Sequence, residues 1–325
     1  MNYLQPYIVS FKNYLESSLI GNSPSTLYEP ADYILSLGGK RIRPILVLLG
    51  THLYEESFEK ALDAAFAIEV FHNFTLVHDD IMDQAELRRG QLTVHKKYST
   101  NQAILTGDVM LIHSYEKLLG YSPVLSHMLV SVFSKMAEEL CKGQQMDMDF
   151  ETRENVSIGD YIKMIELKTA VLLGAALKIG ALIGNAADSD AEHLYQFGIN
   201  FGIAFQLQDD VLDVFGASAH VGKTIGGDII QNKKTYLFLK SLELASDEQK
   251  SNLVRLYSGH SNMSESDKVE WVTKIFTSLL VKEYAQQVME AYRDLAISHV
   301  HSCSIDVGKK ELLISLVNDF LNRES

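Results

Sequence analysis

The chain has 325 residues, 46% hydrophobic and 22% charged, with 42 acidic and 29 basic side chains and a formal net charge of −13. This length and apolar share suffice for a buried core and exclude a disordered chain, while 20 glycines and 5 prolines exclude collagen-like or linker composition. The acid excess argues against a nucleic-acid binder and against docking on anionic lipid.

From the N-terminus, residues 1–20 carry Lys12 and Glu16 and lack a basic region followed by an apolar run, so no signal peptide is expected. All five prolines (Pro6, Pro24, Pro30, Pro44, Pro123) precede residue 124. Beyond them, apolar residues recur at helical spacing, as in Leu125–Leu129–Val132–Met136 and Leu280–Tyr284–Val288–Ala291. No convincing run of strict alternation and no series of Asn-Gly or Asp-Gly hairpin turns occurs, so the expected fold is all-α with many helices, one domain over 1–325. Short loops are expected at 21–25, 37–43, 88–93, 216–228 and 257–266. The apolar run 169–187 is interrupted by Lys178 and rich in Gly and Ala, which predicts a tightly packed core helix and no membrane span. Cys141 and Cys303 read as two reduced thiols of a cytoplasmic protein.

Two places break the rules that otherwise hold. Residues 61–83 form a segment apolar nearly all round that runs into Asp79, Asp80 and Asp83. At about 100° per residue, Asp79 and Asp83 lie about 40° apart and His72 falls about 20° from Asp79, giving a polar stripe His72–Thr75–Asp79–Asp83. Residues 194–215 repeat the pattern: Phe197, Phe201 and Phe205 lead into Asp209, Asp210 and Asp213, with Gly216 as a C-cap. Carboxylates at helix C-termini oppose the dipole, and like charges one turn apart repel. The same violation made twice, in D-D-x-x-D spacing, points to a site with a cationic partner. Carboxylate oxygens suit Mg²⁺, which keeps waters and shares substrate phosphate oxygens.

Cations flank both clusters. Gly38-Gly39-Lys40-Arg41-Ile42-Arg43-Pro44 is a cation-dense turn, Arg88-Arg89-Gly90 follows the first cluster, Lys168-Thr169 opens the small-residue helix, and Gly222-Lys223 and Lys233-Lys234-Thr235 follow the second cluster. Arg binds phosphate through its planar fork and Lys as a point charge. No P-loop is formed, since neither Gly38 nor Gly216–Thr224 has the required spacing or a preceding strand.

The ordered motifs G-G-K-R-I-R-P, H-x6-D-D-x-x-D-x4-R-R-G, G-Q-x-x-D, K-T, F-Q-x-x-D-D-x-x-D and G-K…K, spanning 38–235, resemble those of the trans-type polyprenyl (isoprenyl) diphosphate synthases. The resemblance implies an all-α isoprenoid-synthase bundle around a deep central cavity, working as a homodimer. It implies three Mg²⁺ at the aspartates Asp79, Asp80, Asp83, Asp147, Asp209, Asp210 and Asp213, with Asp79, Asp83 and Asp209 as the foremost ligands. Arg88, Lys168, Thr169, Gln206, Lys223 and Lys233 would hold an allylic diphosphate, and Lys168, Thr169, Gln206 and Lys223 would act in its ionisation. Gly39, Lys40, Arg43, His72 and Arg89 would hold isopentenyl diphosphate, Gly39 by letting its loop approach closely. The implied reaction is ionisation, condensation and elimination, giving a trans-prenyl diphosphate and pyrophosphate.

Product length follows from the same resemblance. Bulky aromatics shortly before the first aspartate close the tail pocket early in this family, and here Phe74 stands at minus five, Phe71 at minus eight and Thr75 at minus four. Phe74, with no two-residue insertion in the first motif, implies C20 ahead of C15. A straight helix places Phe74 about 140° from Asp79. Three alternatives remain open: a longer-chain synthase, a terpene cyclase, and a non-catalytic subunit that tunes another synthase. The cyclase normally replaces the second aspartate cluster, and the subunit usually loses a cluster or the cations; this chain keeps them all.

Overall fold

A computed structural model of the chain describes residues 2–18, 20–216, 226–258 and 263–321. In chain order the helices are α1 (Gln5–Ser17), α2 (Ser25–Ser36), α3 (Ile42–His52), α4 (Leu62–Met82), α5 (Val94–Lys97), α6 (Thr100–Leu119), α7 (Pro123–Thr152) and α8 (Ile158–Ile165). There follow α9 (Val171–Ile183), α10 (Asp188–Phe215), α11 (Gly227–Ile230), α12 (Tyr236–Leu244), α13 (Asp247–Tyr257), α14 (Glu265–Ser278), α15 (Val281–Ser302) and α16 (Val307–Leu321). The all-α expectation holds. Local chemistry sets several boundaries. Ser99 Oγ accepts from Gln102 N–H at 3.2 Å to start α6, and Ser157 and Asp160 form a reciprocal capping box on α8.

One short hairpin accompanies the helices. Leu87–Arg88 (β1) pairs antiparallel with Gln91–Leu92 (β2). The connecting Arg89 and Gly90 have φ of 54° and 75°, both left-handed as in a type I′ turn. Arg-Gly fills the role in which Asn-Gly was sought.

The chain divides into two compact units. The first comprises Met1–Met136, Leu172–Tyr195 and Ser302–Lys310; the second comprises Ala137–Val171, Gln196–His301 and Glu311–Ser325. In the first, α4 is buried from Ala64 through Phe71 and packs chiefly along α6. The small-residue helix lies against α3, where Thr51 Oγ1 donates to Gly180 O at 2.9 Å, so it is the packed core helix expected. In the second, Phe197, Phe201, Phe276 and Phe320 are fully buried, with Phe201 and Phe320 edge to face at 5.7 Å. No described helix is long and apolar enough to cross a membrane. Cys141 is exposed and Cys303 buried, and neither is in a disulfide.

Candidate active site

In the first unit, α4 carries the polar stripe as expected. His72, Thr75 and Asp79 are half-buried, and Asp83, the residue after the last helical turn, is exposed. Asp83 N–H donates to Asp79 O at 2.8 Å, which keeps the two aspartates one turn apart on one face. Asp80 departs from its neighbours. It is fully buried, and Arg88 Nε donates to its two oxygens at 2.8 and 2.9 Å while Nη2 donates to Oδ1 at 2.6 Å. The hairpin turn aims Arg88 back at the helix. Asp80, expected at a metal, serves here as the anchor of Arg88, a residue expected on a diphosphate.

Arg43 Nη1 lies 3.2 Å from His72 Nε2. A guanidinium can only donate, so Nε2 accepts and the ring proton sits on Nδ1. Burial, then the charges of Arg43, Arg89, Arg88 and Arg41, hold the imidazole well below its ordinary range, so it is neutral at neutral pH. Gly39 has a φ of 128°, and a Cβ there would lie 3.0 Å from Arg89 Cζ. Its bare Cα therefore makes room for the Arg89 guanidinium, which donates to Gly38 O. Lys40 is exposed.

Sequence reasoning missed the device that fixes this loop. Arg41, with a φ of 49°, opens α3 and donates to Leu35 O and to Glu69, whose side chain is 2% exposed. Asn73 Nδ2 completes the set by donating to Glu69 Oε1 at 2.7 Å. The available signal was Glu69 itself, the one acid in the buried run Ala64–Phe71 of α4.

Around the length-determining positions, Phe71 is buried while Phe74 and Thr75 are half-buried. The Phe71 ring lies 5.5 Å from Phe74 and 4.9 Å from Phe133.

In the second unit, Lys168 and Thr169 sit in a π-helical turn, Glu166–Ala170, between α8 and α9. Such turns add one residue to a helix and recur at functional sites. Gly143 on α7 permits close approach: a Cβ there would meet Lys168 N at 2.2 Å. One turn further along α7, Asp147 Oδ2 accepts from Lys168 Nζ at 2.6 Å. The G-Q-x-x-D spacing thus has a geometric reason.

Asp210 repeats the behaviour of Asp80. It is buried, Tyr161 Oη donates to Oδ2 at 2.5 Å, and Gln206 Nε2 donates to Oδ1 at 3.0 Å. Thr169 Oγ1 in turn donates to Gln206 Oε1 at 3.3 Å. Burial, then the Asp228 carboxylate, push the Asp210 carboxyl well above the usual range, against the pull of the two hydrogen bonds. Asp209 is exposed and Asp213 half-buried. Asp213 Oδ2 accepts from Asp228 N–H at 3.0 Å. Asp228, Tyr161 and Lys268 are neighbours of these aspartates that the sequence did not single out. Lys268 donates to Ile229 O at 2.6 Å and to Asn232 Oδ1 at 2.5 Å, bracing the turn that carries Asp228 and Lys233. Lys233 is exposed, whereas Lys234 donates to Phe150 O at 2.6 Å and Arg153 O at 2.5 Å at the end of α7. Lys223 lies outside the described residues.

The donor set is one of carboxylate oxygens. Among the described residues, no three acidic, histidine or cysteine side chains gather closely enough to hold a metal by themselves. Carboxylate oxygens are the donors Mg²⁺ takes, usually one or two of them together with phosphate oxygens and water.

A sequence model of the family described as polyprenyl synthetase matches residues 24–276. The chain is 42% identical over 222 residues to a Methanosarcina mazei protein named geranylgeranyl diphosphate synthase, covering 68% of each chain. It is 37% identical over 242 residues to a Natronomonas pharaonis protein named geranylfarnesyl diphosphate synthase, covering 69% of this chain and 71% of that one. A crystal structure of a geranylgeranyl pyrophosphate synthase matches with a TM-score of 0.95 over 100% of both chains, at 44% identity.

Proposed function

The chain belongs to the polyprenyl synthetase family, and from that premise we propose that it condenses isopentenyl diphosphate with an allylic diphosphate to give a C20 trans-prenyl diphosphate. The observation that carries this reading is the division of labour within each D-D-x-x-D run. The middle aspartate is buried and hydrogen-bonded, while the first and third reach solvent on one helical face.

In the first unit, Asp79 and Asp83 would hold Mg²⁺, and Lys40, Arg43 and Arg89 would bind isopentenyl diphosphate. Neutral His72 orients Arg43 by accepting its N–H. In the second unit, Asp209 would hold Mg²⁺ with Asp213 in support, and Asp147 would support metal binding, three ions in all per chain. Lys168, Thr169, Gln206 and Lys233 would bind the allylic diphosphate. Bound there, Mg²⁺ supplies the positive charge that makes a diphosphate a good leaving group. The allylic C–O bond breaks, the isopentenyl double bond attacks C1, and a proton passes to the released pyrophosphate, so no protein base is required. Phe74 floors the pocket for the growing chain. A homodimer is proposed as well, supported by Leu105, Ile112 and Leu119, which line one face of α6 at 58%, 56% and 61% exposure.

The test is purified chain with Mg²⁺, isopentenyl diphosphate and, in turn, dimethylallyl, geranyl and farnesyl diphosphate, with products resolved by chromatography. A C20 product is expected from each primer. No condensation alone but stimulation of a second synthase would make it a regulatory subunit, and a dominant C25 product would overturn the assigned length.

A further inference from the structure

We propose that His78 and Gly107 determine product length by fixing Phe74; this rests on the reading of Phe74 as the floor of the tail pocket. His78 follows Phe74 by one turn of α4, and the two rings meet edge to face at 4.8 Å with an interplanar angle of 70°. The far side of the imidazole is seated on α6. Its Nε2 lies 3.1 Å from Ile104 O, and because a carbonyl can only accept, Nε2 carries the proton and donates.

Gly107 makes this seat possible. A Cβ at that position would lie 2.2 Å from His78 Nε2 and 2.5 Å from Cδ2, so any side chain there would expel the ring. On its other side Phe74 meets Phe71, which stands edge-on to Phe133. Phe74 is therefore clamped between a ring buried in the core and a ring pinned to a neighbouring helix. A floor that is to stop a hydrocarbon at a set length must not yield, and in close-packed protein a side chain yields only where its neighbours do. Phe71 is buried with the core and cannot move alone. His78 is the end of the clamp that a substitution can release, either directly or from α6.

The experiment compares product distributions of the parent, Phe74→Ala, His78→Ala, Gly107→Ala and the double variant Phe74→Ala/His78→Ala, with farnesyl and isopentenyl diphosphates and Mg²⁺. Phe74→Ala should lengthen the main product. His78→Ala and Gly107→Ala should each raise the share of the product one C5 unit longer by about fivefold, the ratio that loss of one edge-to-face ring contact represents. The double variant should match Phe74→Ala, because His78 acts only through Phe74. Lengthening by Phe74→Ala with unchanged products from both other single variants overturns the clamp alone. So does a double variant that makes longer chains than Phe74→Ala. Unchanged products from Phe74→Ala overturn the floor reading itself, and the clamp with it. Ratios are read from whatever activity survives. Should His78→Ala disturb Asp79 beyond measurement, Gly107→Ala releases the same clamp from the other helix.

Discussion

A carboxylate taken out of water costs several kcal/mol unless something replaces its hydration. Asp80 and Asp210 meet that cost differently: Asp80 with a guanidinium, Asp210 with a phenol and an amide. The difference has a measurable asymmetry. Arg88→Ala leaves the Asp80 carboxyl group buried with its partner gone, and should cost about 3 kcal/mol in a urea melt. Asp80→Asn leaves Arg88, whose side chain is 27% exposed, able to turn toward water, and should cost nearer about 1 kcal/mol. Equal losses would overturn the asymmetry, meaning that the unpaired Asp80 carboxyl costs no more than the unpaired Arg88. The aspartate clusters themselves were legible in the sequence because they violate the helix dipole twice at one spacing. Their internal division was not, since which carboxylate faces inward depends on where Arg88 and Tyr161 arrive from other elements.

At the scale of elements, the helices could be read from spacing because a 3.6-residue period survives in the sequence wherever one face is buried. The π turn could not: one added residue shifts the apolar register so little that Glu166–Ala170 reads as continuous helix. The hairpin was missed because its turn uses Arg-Gly, and the Arg41–Glu69 pair because its 28-residue separation is set by packing. Which face α6 leaves uncovered is set by how it packs on α4. Leu105, Ile112 and Leu119 recur every seven residues on an exposed face, the spacing of a helix–helix seam. In a twofold dimer such a face meets its own copy, so Ile112→Asp would set like charges against an apolar surface. A penalty of about 3 kcal/mol weakens association about 100-fold. Light scattering should find the parent at twice the 36.4 kDa chain mass and the variant at the chain mass. A parent that runs as a monomer would leave the α6 face to another partner.

For the whole molecule, the net charge of −13 first reads as a solubility feature that disfavours polyanions. The proposed role of Asp79, Asp83, Asp147, Asp209 and Asp213 as Mg²⁺ ligands would reverse that inference for a small polyanion carried with Mg²⁺. Neither component alone should bind well, because Mg²⁺ lacks its phosphate oxygens and pyrophosphate meets carboxylates. Together they should bind the folded chain and not the unfolded one, adding about 2.7 kcal/mol at a hundredfold excess over Kd. For a chain of this length that is a rise in Tm of about 3 to 6 °C. Thermal melts should therefore show the rise with Mg²⁺ and pyrophosphate together, little with either alone, and its loss on adding EDTA. Asp79→Ala or Asp209→Ala should remove most of it. A full rise with pyrophosphate alone, indifferent to EDTA, would place the anion on lysines and arginines and leave these aspartates without the role their spacing suggests.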